Sequence, residues 1–304
     1  MKKVLVTGAT GFIGRHAVPH LQSAGFEVHT WSHRSVAVQP GGTIGHTGDI
    51  LVEADVARVV HEARPTHLLH LAWYAVPGKF WTSLENLRWV AASLHLAREF
   101  ASVGGKYALF AGSCAEYEWQ DEICCDEDQT PLRPRSLYGT CKNSLREMLC
   151  AATDQLAISI AWARIFHLYG PYEVPERLVS SVTLALLRNQ IARCTDGQQL
   201  RDFMHVDDVA RALVSVLDNA FVGPINIASG NEVAISQVVG TIADQLDRRH
   251  LLSLGAVPRA AGEPRKLVAS TARLKALRFE PNFDLASGLA DSIAWWRRAA
   301  QSPP

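Results

Sequence analysis

The chain has 304 residues, 48% of them apolar, and its 30 basic and 30 acidic side chains cancel. That length builds one large α/β domain or two unequal ones, and with no overall field to draw in nucleic acid or an anionic membrane, any hold on an anionic ligand must come from locally placed groups. Six cysteines without a C-x-x-C pair, a start at Met1-Lys2-Lys3-Val4 with no secretory apolar region, and no apolar run long enough for a bilayer predict a cytoplasmic protein with reduced thiols, no membrane or nucleic acid, and a small-molecule partner.

Short apolar, β-branched runs at 4–7, 28–31, 67–72, 107–111 and 158–163 predict strands. Between them, 13–24, 52–63, 84–103 and 136–156 carry apolar residues at three- and four-residue spacing and predict helices. The alternation gives an α/β fold, a Rossmann-type doubly wound parallel sheet buried on both faces, over residues 1–163. After Arg164 the rhythm breaks, with loops around Gly170-Pro171, Gly197 and Gly262-Glu263-Pro264 and helices at about 176–188, 206–219 and 235–246. A smaller α/β substrate-binding lobe is expected from 164–202 and 229–300, with about 203–228 returning to the first sheet through an apolar strand at 224–228. Trp295 and Trp296 near the end read as a docking face.

The segment Val4-Leu5-Val6-Thr7-Gly8-Ala9-Thr10-Gly11-Phe12-Ile13-Gly14 is a strand, a glycine turn and a helix start. Gly8 permits the tight turn, Gly11 lets backbone approach a pyrophosphate, and Gly14 lets the helix pack closely on the strand. The helix N-terminus then meets the negative charge, so Gly8, Thr10, Gly11, Phe12, Ile13 and Gly14 are candidate dinucleotide contacts. At the end of the second strand, where NAD sites place a carboxylate on the ribose, stand Trp31-Ser32-His33-Arg34-Ser35. Arg34 can fork onto a 2′-phosphate and Ser32 and His33 can donate to it, which favours NADP(H) while leaving NAD(H) open. Asp49, followed by Ile50, is placed to accept from the adenine amine.

Tyr138 and Lys142 stand four apart on one predicted helical face. A phenol is a poor base at neutral pH, and an ammonium beside it favours the phenolate. Upstream, Ser113 ends the strand Phe110-Ala111-Gly112-Ser113, where open α/β sheets bind ligands.

With these residues the chain resembles the extended short-chain dehydrogenases/reductases, the nucleotide-sugar epimerase/dehydratase family. Thr7 to Gly14 matches its T-G-x-x-G-F-I-G, His70-Leu71-Ala72 its H-x-A, Tyr138 to Lys142 its Y-x-x-x-K, and Tyr169-Gly170-Pro171 and Arg201 to Val209 two later signatures. The resemblance implies a triad in which Ser113 hydrogen-bonds the substrate oxygen, Tyr138 exchanges the proton and Lys142 holds the nicotinamide ribose, with Leu71 and Ala72 bordering the cofactor. It puts Arg201 on a substrate diphosphate and makes Arg259 the nearest match to a second substrate-binding arginine that precedes a G-D/E pair, although Arg259 stands one residue early. His167 replaces the usual Asn of a substrate contact. Glu116 departs from the family's usual apolar residue.

Bland alternatives stand beside these. His29 and His33 have zinc-like spacing but lie on or beside a strand, where they share no helical face, so no metal is expected. Trp73, Tyr74, Phe80 and Trp81 either line the nucleotide-sugar pocket, with Trp73 and Trp81 as the substrate contacts, or plug the sheet edge. Cys114 and Cys141 flank the triad with no base in view and read as packing residues.

Of the family's reactions, dehydration needs acidic residues directly after the Ser/Thr, and Cys114-Ala115 stand there. The expectation is NADP-dependent reduction of the 4-keto group of a nucleotide-linked 4-keto-6-deoxyhexose by a homodimer. An epimerase using bound NAD(P) and a non-catalytic dinucleotide-binding protein are the alternatives.

Overall fold

The computed structural model describes residues 2–33, 41–119, 124–260 and 262–301. In chain order, β1 (Lys3–Thr7), α1 (Gly14–Ser23), β2 (Glu27–Ser32), β3 (Ile44–Thr47), α2 (Glu53–Ala63), β4 (His67–His70), α3 (Glu85–Ser102) and β5 (Tyr107–Ser113) lead to a short 3-10 turn, Cys114–Glu116. Then follow β6 (Cys124–Cys125), α4 (Leu137–Ala151), α5 (Thr153–Leu156), β7 (Ser159–Ile165), β8 (His167–Tyr169), α6 (Leu178–Leu187), β9 (Ala192–Arg193), β10 (Leu200–His205), α7 (Val206–Asp218) and β11 (Gly223–Ile227). The chain ends with β12 (Glu232–Ala234), α8 (Ile235–Gln245), β13 (Leu252–Ser253), β14 (Lys266–Ala269), α9 (Ala272–Ala276) and α10 (Leu285–Gln301).

Seven parallel strands form the main sheet in the order β11-β7-β5-β4-β1-β2-β3. Alternation along each strand feeds two cores. Val4 and Val6 of β1 point to the face covered by α1 and α7, whereas Leu5 joins Leu68, Phe110 and Trp162 under α2, α3 and α4. The chain runs outward from β1 through β2 to β3 and then returns to β4 on the other side of β1. That reversal opens a crevice at the carboxyl ends of β1 and β4, where doubly wound sheets bind ligands.

A second sheet sits beside the first, ordered β12-β10-β14-β6 with β8 also on β10. Its β8 continues from β7 across a single residue, Phe166, so one stretch of chain serves both sheets. Helices α6, α8 and α10 share a separate apolar core with β9. The predicted strand at 67–72 ends at His70, because Leu71 and Ala72 turn over the glycine loop instead of continuing the ladder. The predicted helix at 136–156 breaks at Ala152, where a short second helix begins.

Candidate active site

The glycine loop is shaped by backbone contact. Gly8 has φ +70, and a Cβ there would stand 2.9 Å from the Ala72 nitrogen. At Gly14 a Cβ would lie 2.2 Å from the Gly8 carbonyl oxygen, so this glycine lets the helix start close on the loop itself rather than on the strand. Gly11 donates to the Gly8 carbonyl at 2.9 Å, which holds the turn shut. Helix α1, with Ile13 at its N-cap, has no side-chain cap and no acidic residue in its first turn; the Arg15 and His16 amides already donate to the Gly11 and Ile13 carbonyls, so the Gly14 amide at the helix start is the one turned to an anion. Thr10 is exposed, Phe12 stands edge-on to His16, and Ile13 lines the main cavity. Beneath the loop, Thr7 Oγ1 bonds His70 Nδ1 at 2.8 Å, and His70 Nε2 bonds Ser93 at 2.9 Å. Burial, helped by the nearby Lys142 charge, pushes His70 down to about 3, so it is a neutral strut between β1, β4 and α3.

Ser32 closes β2, and His33 Nδ1 comes within 3.9 Å of Asp49. One Asp49 oxygen accepts the Leu51 amide at 2.9 Å. The Ile50 side chain is buried in the core with Trp31 and Val56, so what it offers a dinucleotide is backbone. Arg34 lies outside the described residues. His29 finds its partners within the sheet layer, bonding His46 at 2.8 Å and Glu27 at 2.9 Å.

Ser113, Tyr138 and Lys142 converge on one cavity of 560 Å³, lined also by Leu71, Trp73, Phe80, Trp81, His167 and Arg201. Ser136 caps α4 by accepting the Gly139 amide at 3.1 Å, which puts Tyr138 in the first turn and Lys142 one turn later. Gly139 is required there, since its Cβ would stand 2.3 Å from the Ala115 carbonyl oxygen. The Lys142 ammonium donates to the Ala111 carbonyl at 2.8 Å and sits 3.6 Å over the Trp73 ring. Burial drags it down to about 7, with the Glu116 charge pulling the other way. Tyr138 departs from the expectation of a favoured phenolate. Burial pushes it up to about 12, against a hydrogen bond with Ser113, so the phenol holds its proton at neutral pH.

Of the four aromatic residues, Trp73, Phe80 and Trp81 line the cavity and Tyr74 is not among the lining residues; the Trp81 carbonyl accepts the Tyr138 amide at 3.1 Å. His167 also lines it, its Nδ1 buried without a partner, and burial pushes the ring down to about 3. Arg201 reaches the cavity but carries a counter-ion already, Glu263 at 2.6 Å. Arg259 is not among the lining residues. It forks onto Asp196 with two bonds of 2.7 Å, because the residue that stands one place early falls on an exposed loop. The six cysteines are free thiols, and burial pushes Cys114, beside Ser113, up to about 12. Among the described residues no cluster of His, Cys, Asp or Glu could hold a metal ion, and no helix is long and apolar enough to cross a membrane.

Three cavity residues were not singled out from the sequence. Arg177 precedes α6 at the cavity wall, Arg193 leaves β9 into it, and Glu173 is buried there, accepting the Ser180 amide at 3.2 Å. Burial lifts Glu173 to about 8. Nothing in Pro171-Tyr172-Glu173-Val174-Pro175 distinguishes a buried carboxyl from a surface loop acid.

A parallel sheet with an uncapped glycine turn at its switch point, and a serine, tyrosine and lysine over one adjoining cavity, defines an oxidoreductase-type enzyme built around a nicotinamide dinucleotide. The glycine cradle and the uncapped start of α1 fit that group. The chain belongs to the NAD dependent epimerase/dehydratase family, whose model matches residues 4–228. It is similar to UDP-glucuronic acid decarboxylase 1 of Xenopus tropicalis, 26% identical over 312 residues covering 98% of this chain and 72% of that protein. It is 27% identical to dTDP-glucose 4,6-dehydratase of Streptomyces griseus over 323 residues, 97% of this chain and 94% of that one. Among solved structures, MoeE5 in complex with UDP-glucose and NAD is 31% identical with a TM-score of 0.86, covering 98% of this chain and 100% of that chain.

Proposed function

We propose that the protein reduces the C4 ketone of a nucleotide-linked 4-keto-6-deoxyhexose, with NADPH as the preferred reductant. The observation that carries this reading is the wall beside Ser113: the Tyr138 phenol, kept protonated by burial, and the Ser113 hydroxyl line one cavity there, while the next two residues are a protonated thiol, Cys114, and Ala115. A carbonyl oxygen needs the first pair; elimination of water needs acids directly after the serine, where Cys114 and Ala115 stand and Glu116, one place on, is tied to Arg164 and Trp162. When bound, the nicotinamide supplies the hydride. As negative charge builds on the ketone oxygen, Tyr138 gives up its proton, Ser113 donates a hydrogen bond, and Lys142 adds positive charge from one helical turn away. Arg177, Arg193 and Arg201 give the cavity a cationic side suited to a diphosphate, which turns remote binding energy into orientation of the sugar. Trp73, Trp81 and His167 would meet the sugar and base, and Arg201 would exchange Glu263 for phosphate oxygens. The NADPH preference rests on Arg34 and on the absence of a carboxylate at Ser32 and His33. We take the assembly to be a homodimer, a point that the mass in solution decides.

Epimerisation through a transient ketone is the second reading, favoured by the NAD and UDP-glucose bound to the 31%-identical MoeE5. Incubation with NADPH and 4-keto-6-deoxyhexoses carried on dTDP, CDP and GDP separates the two. The reductase reading expects NADPH consumption and a 6-deoxysugar nucleotide. Conversion of an ordinary nucleotide hexose to its epimer with no net cofactor oxidation replaces it. Titration of NADPH and NADH against wild type and Arg34→Ala should show a loss of about 1.5–3 kcal/mol for NADPH alone.

A further inference from the structure

We propose that Glu116 is the positioning residue of the catalytic serine: its carboxylate, fixed by Arg164 and Trp162, clamps the Ser113 amide and sets a negative charge behind the Ser113, Tyr138 and Lys142 cluster. This deepens the reading above and rests on it for the roles of those three residues.

The geometry is specific. Glu116 Oε1 accepts the Ser113 amide at 2.7 Å, Trp162 Nε1 donates to both carboxylate oxygens at 3.0 and 2.9 Å, and Arg164 Nε donates to Oε2 at 2.9 Å. Ser113 Oγ in turn accepts the Ala115 amide at 3.2 Å, so the turn is closed as a capping box from both ends. Gly112 makes room for it, since a Cβ there would stand 2.3 Å from Trp162 Nε1 and 2.7 Å from Glu116 Oε1. The clamp is anchored well beyond β5. Arg164 donates to the Tyr117 hydroxyl at 3.1 Å, and that hydroxyl donates to Asn226 Oδ1 at 2.8 Å. The Asn226 amide group reaches the Cys125 and Ser270 carbonyls at 3.0 and 3.1 Å, at the edge of the second sheet.

Both charged side chains are almost wholly buried, 1% exposed for Arg164 and 0% for Glu116. Stability alone is a weak reason for such a pair, because apolar replacements of similar volume are commonly as stable. What apolar side chains would not supply is an acceptor for the amide of the residue that carries the catalytic hydroxyl. A misplacement of about 1 Å at a reacting group can cost about a hundredfold in rate. The charge has its own reach. Arg164 and Trp162 face Glu116 from β7, Cys114 from its own turn, and Tyr138 and Lys142 from α4. Lys142 is faced also by the Ala111 carbonyl, the Trp73 ring and neutral His70. Glu116 is the negative charge that holds the Lys142 proton on against burial.

The test uses the full chain as Glu116→Gln and as the double variant Glu116→Val with Arg164→Met, which replaces the pair by apolar groups and guards against a misfolded single variant. Dinucleotide titration should stay within about twofold of wild type for both, as for a site outside direct coupling range. Turnover of the sugar nucleotide should fall at least about tenfold in kcat with little change in KM, as expected of a misplaced reacting group. In Glu116→Gln, an NMR titration of the Lys142 ammonium should move to lower pH. A double variant with wild-type kcat would show that the clamp only packs the fold, and an unmoved Lys142 titration would remove the electrostatic half of the proposal. A wild type that turns over no nucleotide-linked keto sugar sinks the substrate reading alone. The Lys142 titration then still decides for or against the electrostatic role of Glu116.

Discussion

Two turns leave the carboxyl edge of the same parallel sheet, after β1 and after β5, and they treat their backbone amides in opposite ways. The turn after β1 is glycine at its tight points and puts no side-chain cap on α1, so the helix start stays open to a ligand at the Gly14 amide even though the Arg15 and His16 amides are taken by backbone carbonyls. The turn after β5 closes on itself: Ser113 caps Ala115 while Glu116 takes the Ser113 amide, and a buried arginine locks the carboxylate. On the proposed reading, one turn grips a dinucleotide at an open helix start and the other aims a hydroxyl by what it pairs. Ligand grip and catalytic aim therefore place opposite demands on identical strand ends.

The comparison can be broken at either turn. The largest expected effect is on stability at the closed turn. Glu116→Val alone strands the Arg164 charge in the core and should cost about 3–5 kcal/mol in denaturant unfolding, whereas the double variant should recover most of it. At the chemistry itself, Tyr138→Phe should leave dinucleotide affinity intact and lower turnover at least about a hundredfold, the usual contribution of a positioned general acid. Turnover within a few-fold of wild type would assign the proton to another group. At the open turn, Gly14→Ala forces a Cβ to within 2.2 Å of the Gly8 carbonyl oxygen. The resulting shift should cost about 1–3 kcal/mol in stability, and it should weaken dinucleotide binding more than Glu116→Gln does.

The last prediction is a pH profile and concerns Glu173, whose folded value of about 8 lies above its ordinary 4.5. A carboxyl raised on folding contributes stability that is complete below the ordinary value and lost as pH rises through the folded one. Wild type should therefore lose stability between pH 4.5 and about 8, and Glu173→Gln should flatten that slope. Parallel pH curves for the two proteins would show that Glu173 does not stay protonated in the cavity.

Much was legible without the fold. The period-two and period-3.6 patterns placed β1, β2, β5 and β7 and their helices within a few residues, because those elements are buried on faces whose spacing the chain itself records. The glycine triplet and the Tyr-Lys pair were legible because their chemistry is local: each acts through neighbours one turn away. Arg259 was misplaced because its role depended on where an irregular loop lands. The phenolate expectation for Tyr138 runs against its burial, which raises the phenol and which no sequence spacing encodes.

The sequence by itself determined the sheet, the cofactor turn and the identity of the three groups over the cavity, since short-range periodicity and motif spacing specify those. Only the tertiary structure decided what surrounds them. It brought Glu116, Trp162 and Arg164 together from β5 and β7, where Gly112 pairs with Arg164 across the ladder, and it buried Glu173 in the same cavity as His167. The Glu116 contacts to Trp162 and Arg164 join residues 46 and 48 positions apart. Their electrostatics depend on how completely water is excluded, and that is a property of the packed molecule rather than of any segment.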